Sequence, residues 1–94
     1  MNKRQLIAAA ARRSSLTQVQ TREALEAILV VIGHCLADGD HVTISGFGRF
    51  DVQHYAGRKL HRFDGPGHYE VEGRRLPVFR ASKLLRRKLR RKGS

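Results

Sequence analysis

A chain of 94 residues that is 40% hydrophobic is one small domain at most, too apolar for a disordered tail and short enough that pairing with another chain is a common way to complete its core. Its net charge of +11 implies a polyanionic partner, nucleic acid ahead of an anionic membrane surface. The single Cys35 excludes an intrachain disulfide, and without a CxxC or a Cys/His cluster no zinc site is expected.

Asn2 is placed to cap a first helix from about Lys3 to Arg13. Leu6, Ile7, Ala10 and Ala11 form its apolar stripe, and Arg12 and Arg13 suit the negative end of the helix dipole. The apolar run is too short to span a bilayer or serve as a signal core, so neither secretion nor membrane insertion is expected. Ser14 and Ser15 break this helix. Thr17 opens a second, in which Gln20 completes a T-x-x-Q capping box and Leu16 is the outer residue of a hydrophobic staple. This helix runs to about Ala37, with Leu25, Ile28, Leu29, Ile32, Cys35 and Leu36 on one face. Val30 and Val31 extend apolarity beyond that face, and a helix apolar on two sides in so small a chain points to a partner subunit. Cys35 reads as core or interface, since no basic group has an evident route to activate its thiol.

Asp38-Gly39-Asp40 ends the helix, Gly39 being suited to a left-handed backbone. Val42 and Ile44 alternate with His41, Thr43 and Ser45 as a half-buried strand. Gly46-Phe47-Gly48 turns, and a second strand follows with Phe50 and Val52 inward and Arg49, Asp51 and Gln53 outward. That strand has no evident stop before Gly57. The stretch Gly57 to Gly73 is too polar and glycine-rich to form a core, yet Asp64-Gly65-Pro66-Gly67 between two extended segments marks a hairpin arm. Then comes Leu76-Pro77-Val78-Phe79, a short strand whose proline belongs at an edge or a bulge. Ser82 caps a last helix from Lys83 to about Arg91, with Leu84, Leu85 and Leu89 inward and Arg86, Arg87, Lys88 and Arg90 outside.

The order α-α-β-β-(arm)-β-α is an α+β fold in a single domain, 1–94. Its parts are a helical dimerisation part over 1–40, a sheet with its arm over 41–80, the arm being about 57–73, and a basic helix over 82–91. Charge follows this division. Residues 1–56 hold six Lys or Arg against five acidic residues, whereas 57–94 hold thirteen against three.

The opening MNKRQLI, the turn SGFGRF and the late LPVFRASKLL, in this element order, closely resemble the bacterial HU and integration host factor family of histone-like, DNA-bending proteins. The resemblance covers essentially the whole chain. It implies an intertwined dimer with a helical body and a short antiparallel three-stranded sheet in each half, and two protruding arms that curl around duplex DNA in the minor groove. It also implies a bacterial cytoplasm and its nucleoid as the place of action. A homodimer is the simplest assembly, and a heterodimer with a paralogue fits the same pattern. The chain departs from the family at three places. His61-Arg62-Phe63 replaces the usual Arg-Asn-Pro tip, and Gln53 and Tyr55 stand where basic residues are common.

Phe63 is chemically suited to wedge into a base step and kink the duplex; the alternative is that it folds back on Leu60 or Tyr69 and stiffens the arm. Arg58, Lys59 and Arg62 are the candidates for phosphate and minor-groove contacts, with His61 as a hydrogen-bonding neighbour. Arg74 and Arg75 continue the stripe at the arm base. Arg80, Lys83, Arg86 and Arg87 offer a positive platform beneath the duplex, and Lys3 adds a contact from the first helix. Phosphate neutralisation carries little sequence preference; sequence-dependent binding through DNA shape, as in the integration host factor branch, leaves no clear mark in the protein sequence and stays open. RNA or an anionic membrane surface is the alternative partner.

His54, His61 and His68 recur every seven residues, but along one strand an odd separation puts neighbours on opposite faces, so no metal site is expected. Ser14, Ser15 and Ser45 lack a plausible triad and the carboxylates are scattered, so the chain carries no expected catalytic residue, cofactor or small-molecule substrate.

Overall fold

The computed structural model describes residues 1–61, 65 and 67–93, the side chains of 61 and 91–93 apart. It divides into two compact units, Met1–Cys35 and Leu36–Ser94.

The first unit contains helix α1, Lys3–Arg13, and most of helix α2, Gln18–Ala37. Both starts are set locally. Asn2 accepts a 2.9 Å hydrogen bond from the Gln5 N–H while the Gln5 side chain accepts one from the Asn2 N–H. Thr17 and Gln20 repeat that reciprocal cap at 3.1 and 3.0 Å, which satisfies amide donors that a helix start otherwise leaves open. Ile7 is the one buried apolar side chain among the described residues. On α2, Leu25, Ile32, Cys35 and Leu36 are half-buried, while Ile28, Leu29, Val30 and Val31 remain exposed.

The second unit starts at the end of α2, where Gly39 takes a φ of 79° and its N–H closes on the Leu36 carbonyl at 3.0 Å. Strand β1, Val42–Ile44, pairs with β2, Gly48–Tyr55. The turn between them has Gly46 at a φ of 78° and the Phe47 N–H on the Ile44 carbonyl at 3.0 Å. β2 then pairs along its whole length with β5, Arg74–Ala81, in an antiparallel sheet of order β1-β2-β5. β5 therefore begins two residues earlier than the apolar run suggests, because its extent is set by the partner strand. Pro77 lies on this edge strand, opposite Val52, where a missing N–H is tolerated.

Register assigns the two faces, since residues directly opposite share a side. Phe50 with Phe79 and Val52 with Pro77 lie on one face; Arg49 with Arg80, Asp51 with Val78, Gln53 with Leu76 and Tyr55 with Arg74 lie on the other. The first face is the packed one: the Phe79 ring centroid is 5.4 Å from Phe47 and 5.1 Å from Phe50. Helix α3, Lys83–Gly93, begins where the Ser82 hydroxyl accepts the Leu85 N–H at 3.1 Å and the Ser82 N–H reaches the Phe47 carbonyl at 2.9 Å. It runs two residues beyond the expected end.

One expectation is corrected here. The pattern puts Leu84, Leu85 and Leu89 inward, but within one chain only Leu85 is half-buried, with Leu84 57% and Leu89 65% exposed. The period marks a face suited to burial, and a single chain has no further layer to place on it.

The arm is a ladder of its own, β3, Arg58–His61, paired with β4, His68–Val71. Between the rungs Tyr55–Arg74 and Arg58–Val71 the ladder stops. Here a side chain on Gly57 would come within 2.8 Å of the Val71 carbonyl, and one on Gly73 within 3.1 Å of the Gly57 nitrogen, so the close approach of the strands favours glycine at both positions and most strictly at Gly57. The hairpin also corrects the parity argument for histidine, which holds only within one strand: His61 and His68 are register partners across the arm.

Candidate nucleic-acid interface

The sheet face opposite the phenylalanine cluster is open and carries the cations. Arg49 Nε lies 3.4 Å from Asp51 Oδ2, and Arg80 Nε lies 4.0 Å from the same oxygen. Arg80 Nη2 also donates to Gln53 Oε1 at 3.3 Å. These contacts spread two guanidinium groups along the face. The Asp51 carboxyl is held below the usual carboxylate range, first by the hydrogen bond it accepts from the Val52 N–H and then, against partial desolvation, by Arg49, Arg80 and His41. It therefore stays ionised, and the face carries one fixed negative charge among its arginines.

At the arm base the two expected cations separate. Arg74 sits over the Tyr55 ring, its guanidinium carbon 5.8 Å from the centroid, on the open face. Arg75 points to the packed side, where Nη1 donates to the Ala37 carbonyl at 3.2 Å at the end of α2, a favourable place for a cation. In the arm, Arg58 stands opposite Val71 and Lys59 opposite Glu70, so the charge of Lys59 is partly compensated by its cross-strand neighbour; both cations line one depression with Glu70 and Glu72. Arg62 and Phe63 lie outside the described residues, as does the side chain of His61.

Lys83, Arg86 and Arg87 gather with Arg90 along one side of α3 around a shared concavity. In the first unit Lys3 is 3.6 Å from Glu26, with Arg4, Gln18 and Arg22 lining the same depression. Among the described residues the predicted cations other than Arg75 fall into three groups: the arm with the open sheet face, α3, and the α1–α2 depression. Arg49 and Arg90 join these groups without having been singled out from sequence. Arg49 had a usable signal, alternation with Phe50, but its match to Arg80 depends on pairing across a long loop.

Among the described residues no three His, Cys, Asp or Glu side chains come together as a metal site, and no helix is long and apolar enough to cross a membrane. Such an arrangement suits phosphate neutralisation over an extended surface.

Comparison with known proteins agrees. The model of a family described as bacterial DNA-binding protein matches residues 1–90. DNA-binding protein HU-alpha of Vibrio cholerae is 38% identical over 86 residues, covering 92% of this chain and 96% of that protein. DNA-binding protein HU of Staphylococcus aureus is 34% identical over 86 residues, with the same coverage of 92% and 96%. Among solved structures, an Anabaena HU–DNA cocrystal superimposes with a TM-score of 0.80 at 35% identity, covering 95% of this chain and 97% of that one. HU from Thermotoga maritima gives 0.69 at 28% identity, covering 95% and 98%.

Proposed function

This chain belongs to the bacterial DNA-binding protein family, and on that premise we propose that it is an architectural, histone-like protein that binds duplex DNA as a dimer, with little sequence preference, and bends or compacts it. One observation carries the reading: an arm with its own ladder grows from β2 and β5, the two strands whose open face presents Arg49, Arg74 and Arg80. The exposed apolar residues of α2 and α3 support a dimer, because water-facing stripes of that size are stable only when covered. The bacterial nucleoid is the corresponding place of action, and the role is structural, with no catalytic step assigned.

Within this reading Arg58, Lys59, His61 and Arg62 contact the backbone and minor groove, and Arg74, Arg80, Lys83, Arg86 and Arg87 hold the duplex beneath. Lys3 contributes once it leaves Glu26. Arg75 supports the arm base from the packed side. With on the order of eight phosphates neutralised by two arms, log affinity against log salt should fall with a slope of about −7. Fluorescence anisotropy with a labelled duplex at several salt concentrations measures it, with RNA and anionic vesicles as competitors. A slope near zero, or a preference for single-stranded RNA or vesicles, would sink the reading.

Phe63 is the proposed wedge. Unstacking costs roughly a few kcal/mol per step, and a kink exists only while the wedge occupies it. Phe63→Ala should therefore relax the bend reported by energy transfer between duplex ends while nearly retaining low-salt affinity. An unchanged bend angle would return Phe63 to a stiffening role.

A further inference from the structure

We propose that Tyr55 and Arg74 form a stacking platform for an unpaired nucleobase, the ring taking the base and the guanidinium its adjoining phosphate. The proposal rests on the DNA-binding reading above and adds to it a base-stacking site at the arm base.

Tyr55 is on the last rung of the β2–β5 ladder, where it pairs with Arg74 before the sheet breaks. Register places both on the open face, away from the cluster of Phe47, Phe50 and Phe79. An aromatic side chain serving the core would belong to that cluster, yet Tyr55 is 47% exposed, with the Arg74 guanidinium over one face of its ring 5.8 Å from the centroid. The cation holds the ring in place and supplies a positive charge beside it. Farther along the same face come Gln53, then Arg49 and Arg80 about the Asp51 carboxylate, so a strand crossing the ring meets two guanidinium groups whose charge one carboxylate partly offsets.

The chemistry then selects the ligand. In an intact duplex the base faces are already stacked on one another, and only sugars, phosphates and groove edges are offered to a surface ring. A gap, a bulge or a flipped-out nucleotide exposes a π-face, and stacking such a face on an aromatic side chain is favourable whatever the base. At this position the chain presents a ring with a cation opposite it, so this part of the sheet face serves an unpaired base as well as phosphate attraction.

Full-length protein should be titrated against two labelled duplexes, one intact and one bearing a two-nucleotide bulge that contains 2-aminopurine, whose fluorescence is quenched by stacking. The wild-type protein should bind the bulged duplex more tightly and quench the probe. Tyr55→Ala should lose about tenfold in affinity for the bulged duplex, from the usual contribution of one aromatic stack, along with the quenching, while intact-duplex affinity stays within about twofold. Tyr55→Phe should retain both properties. Equal losses on both duplexes, or the same quenching with Tyr55→Ala, would overturn the platform and leave DNA binding in place. Failure of the wild-type protein to bind either duplex at low salt would overturn the DNA-binding reading and the platform with it.

Discussion

Leu29→Glu is expected to abolish the folded dimer at micromolar concentration. Leu29 is at the middle of the α2 stripe formed with Leu25, Ile32 and Leu36, and in the single chain it is 47% exposed. Covering the half that is still exposed is worth about 0.7 to 1.5 kcal/mol per side chain. Burying an unpaired carboxylate instead costs several kcal/mol more, and two-fold symmetry applies both losses twice. The total rivals the whole stability of a small protein, roughly 5 to 15 kcal/mol. Glutamate is as good a helix former as leucine, so the loss cannot be assigned to α2 itself. Sedimentation and far-ultraviolet circular dichroism over a concentration series provide the readout. Leu29→Met, which conserves volume, should cost less than about 1.5 kcal/mol. If Leu29→Glu melts as the parent does, with unchanged concentration dependence, this face is not the interface.

Gly48→Ala should lower the melting temperature by on the order of 10 °C or more. The cause is not backbone conformation, because Gly48 is not among the glycines with positive φ. A methyl group there would lie 2.5 and 2.6 Å from two Phe79 ring atoms and 2.8 Å from the Arg80 carbonyl oxygen. The ring, 43% exposed, can shift in part, but the carbonyl belongs to the strand paired with β2 through the rungs Gly48–Ala81 and Arg49–Arg80 and cannot yield cheaply. Overpacking of this kind costs about 1 to 3 kcal/mol and occasionally more, and each kcal/mol is worth about 4 to 8 °C in a domain of this size. Adding Phe79→Leu should restore part of the loss. A fall of only a degree or two in Gly48→Ala would show that the strands separate freely at this point.

The helices are legible in the sequence because their signals are local. Asn2, Thr17 and Ser82 each announce a start within three residues, and the structure places hydrogen bonds on all three. Gly39 and Gly46 were likewise readable, since few other residues tolerate their left-handed backbone. What escaped depends on distant partners. That β5 begins at Arg74, that Arg49 pairs with Arg80, and that His61 meets His68 follow from register between strands, and no local pattern carries register. Arg74 and Arg75 look like one stripe in sequence and are divided by the pleat, one to each face. The leucines of α3 reveal another limit: apolar spacing records which face is fit for burial, but not whether the same chain or another covers it.

The break in the ladder at Gly57 and Gly73 insulates two kinds of selection from each other. Hydrogen bonding is cooperative along a ladder, and here that cooperation ends at the rung Tyr55–Arg74 and starts afresh at Arg58–Val71. Loss of the arm's ladder would therefore leave the body's ladder intact. Substitutions between Arg58 and Val71 then leave folding almost untouched and are judged by what the arm grips, whereas the body is judged by whether it assembles. A lineage can accordingly rewrite the grip residue by residue without renegotiating the scaffold that carries it.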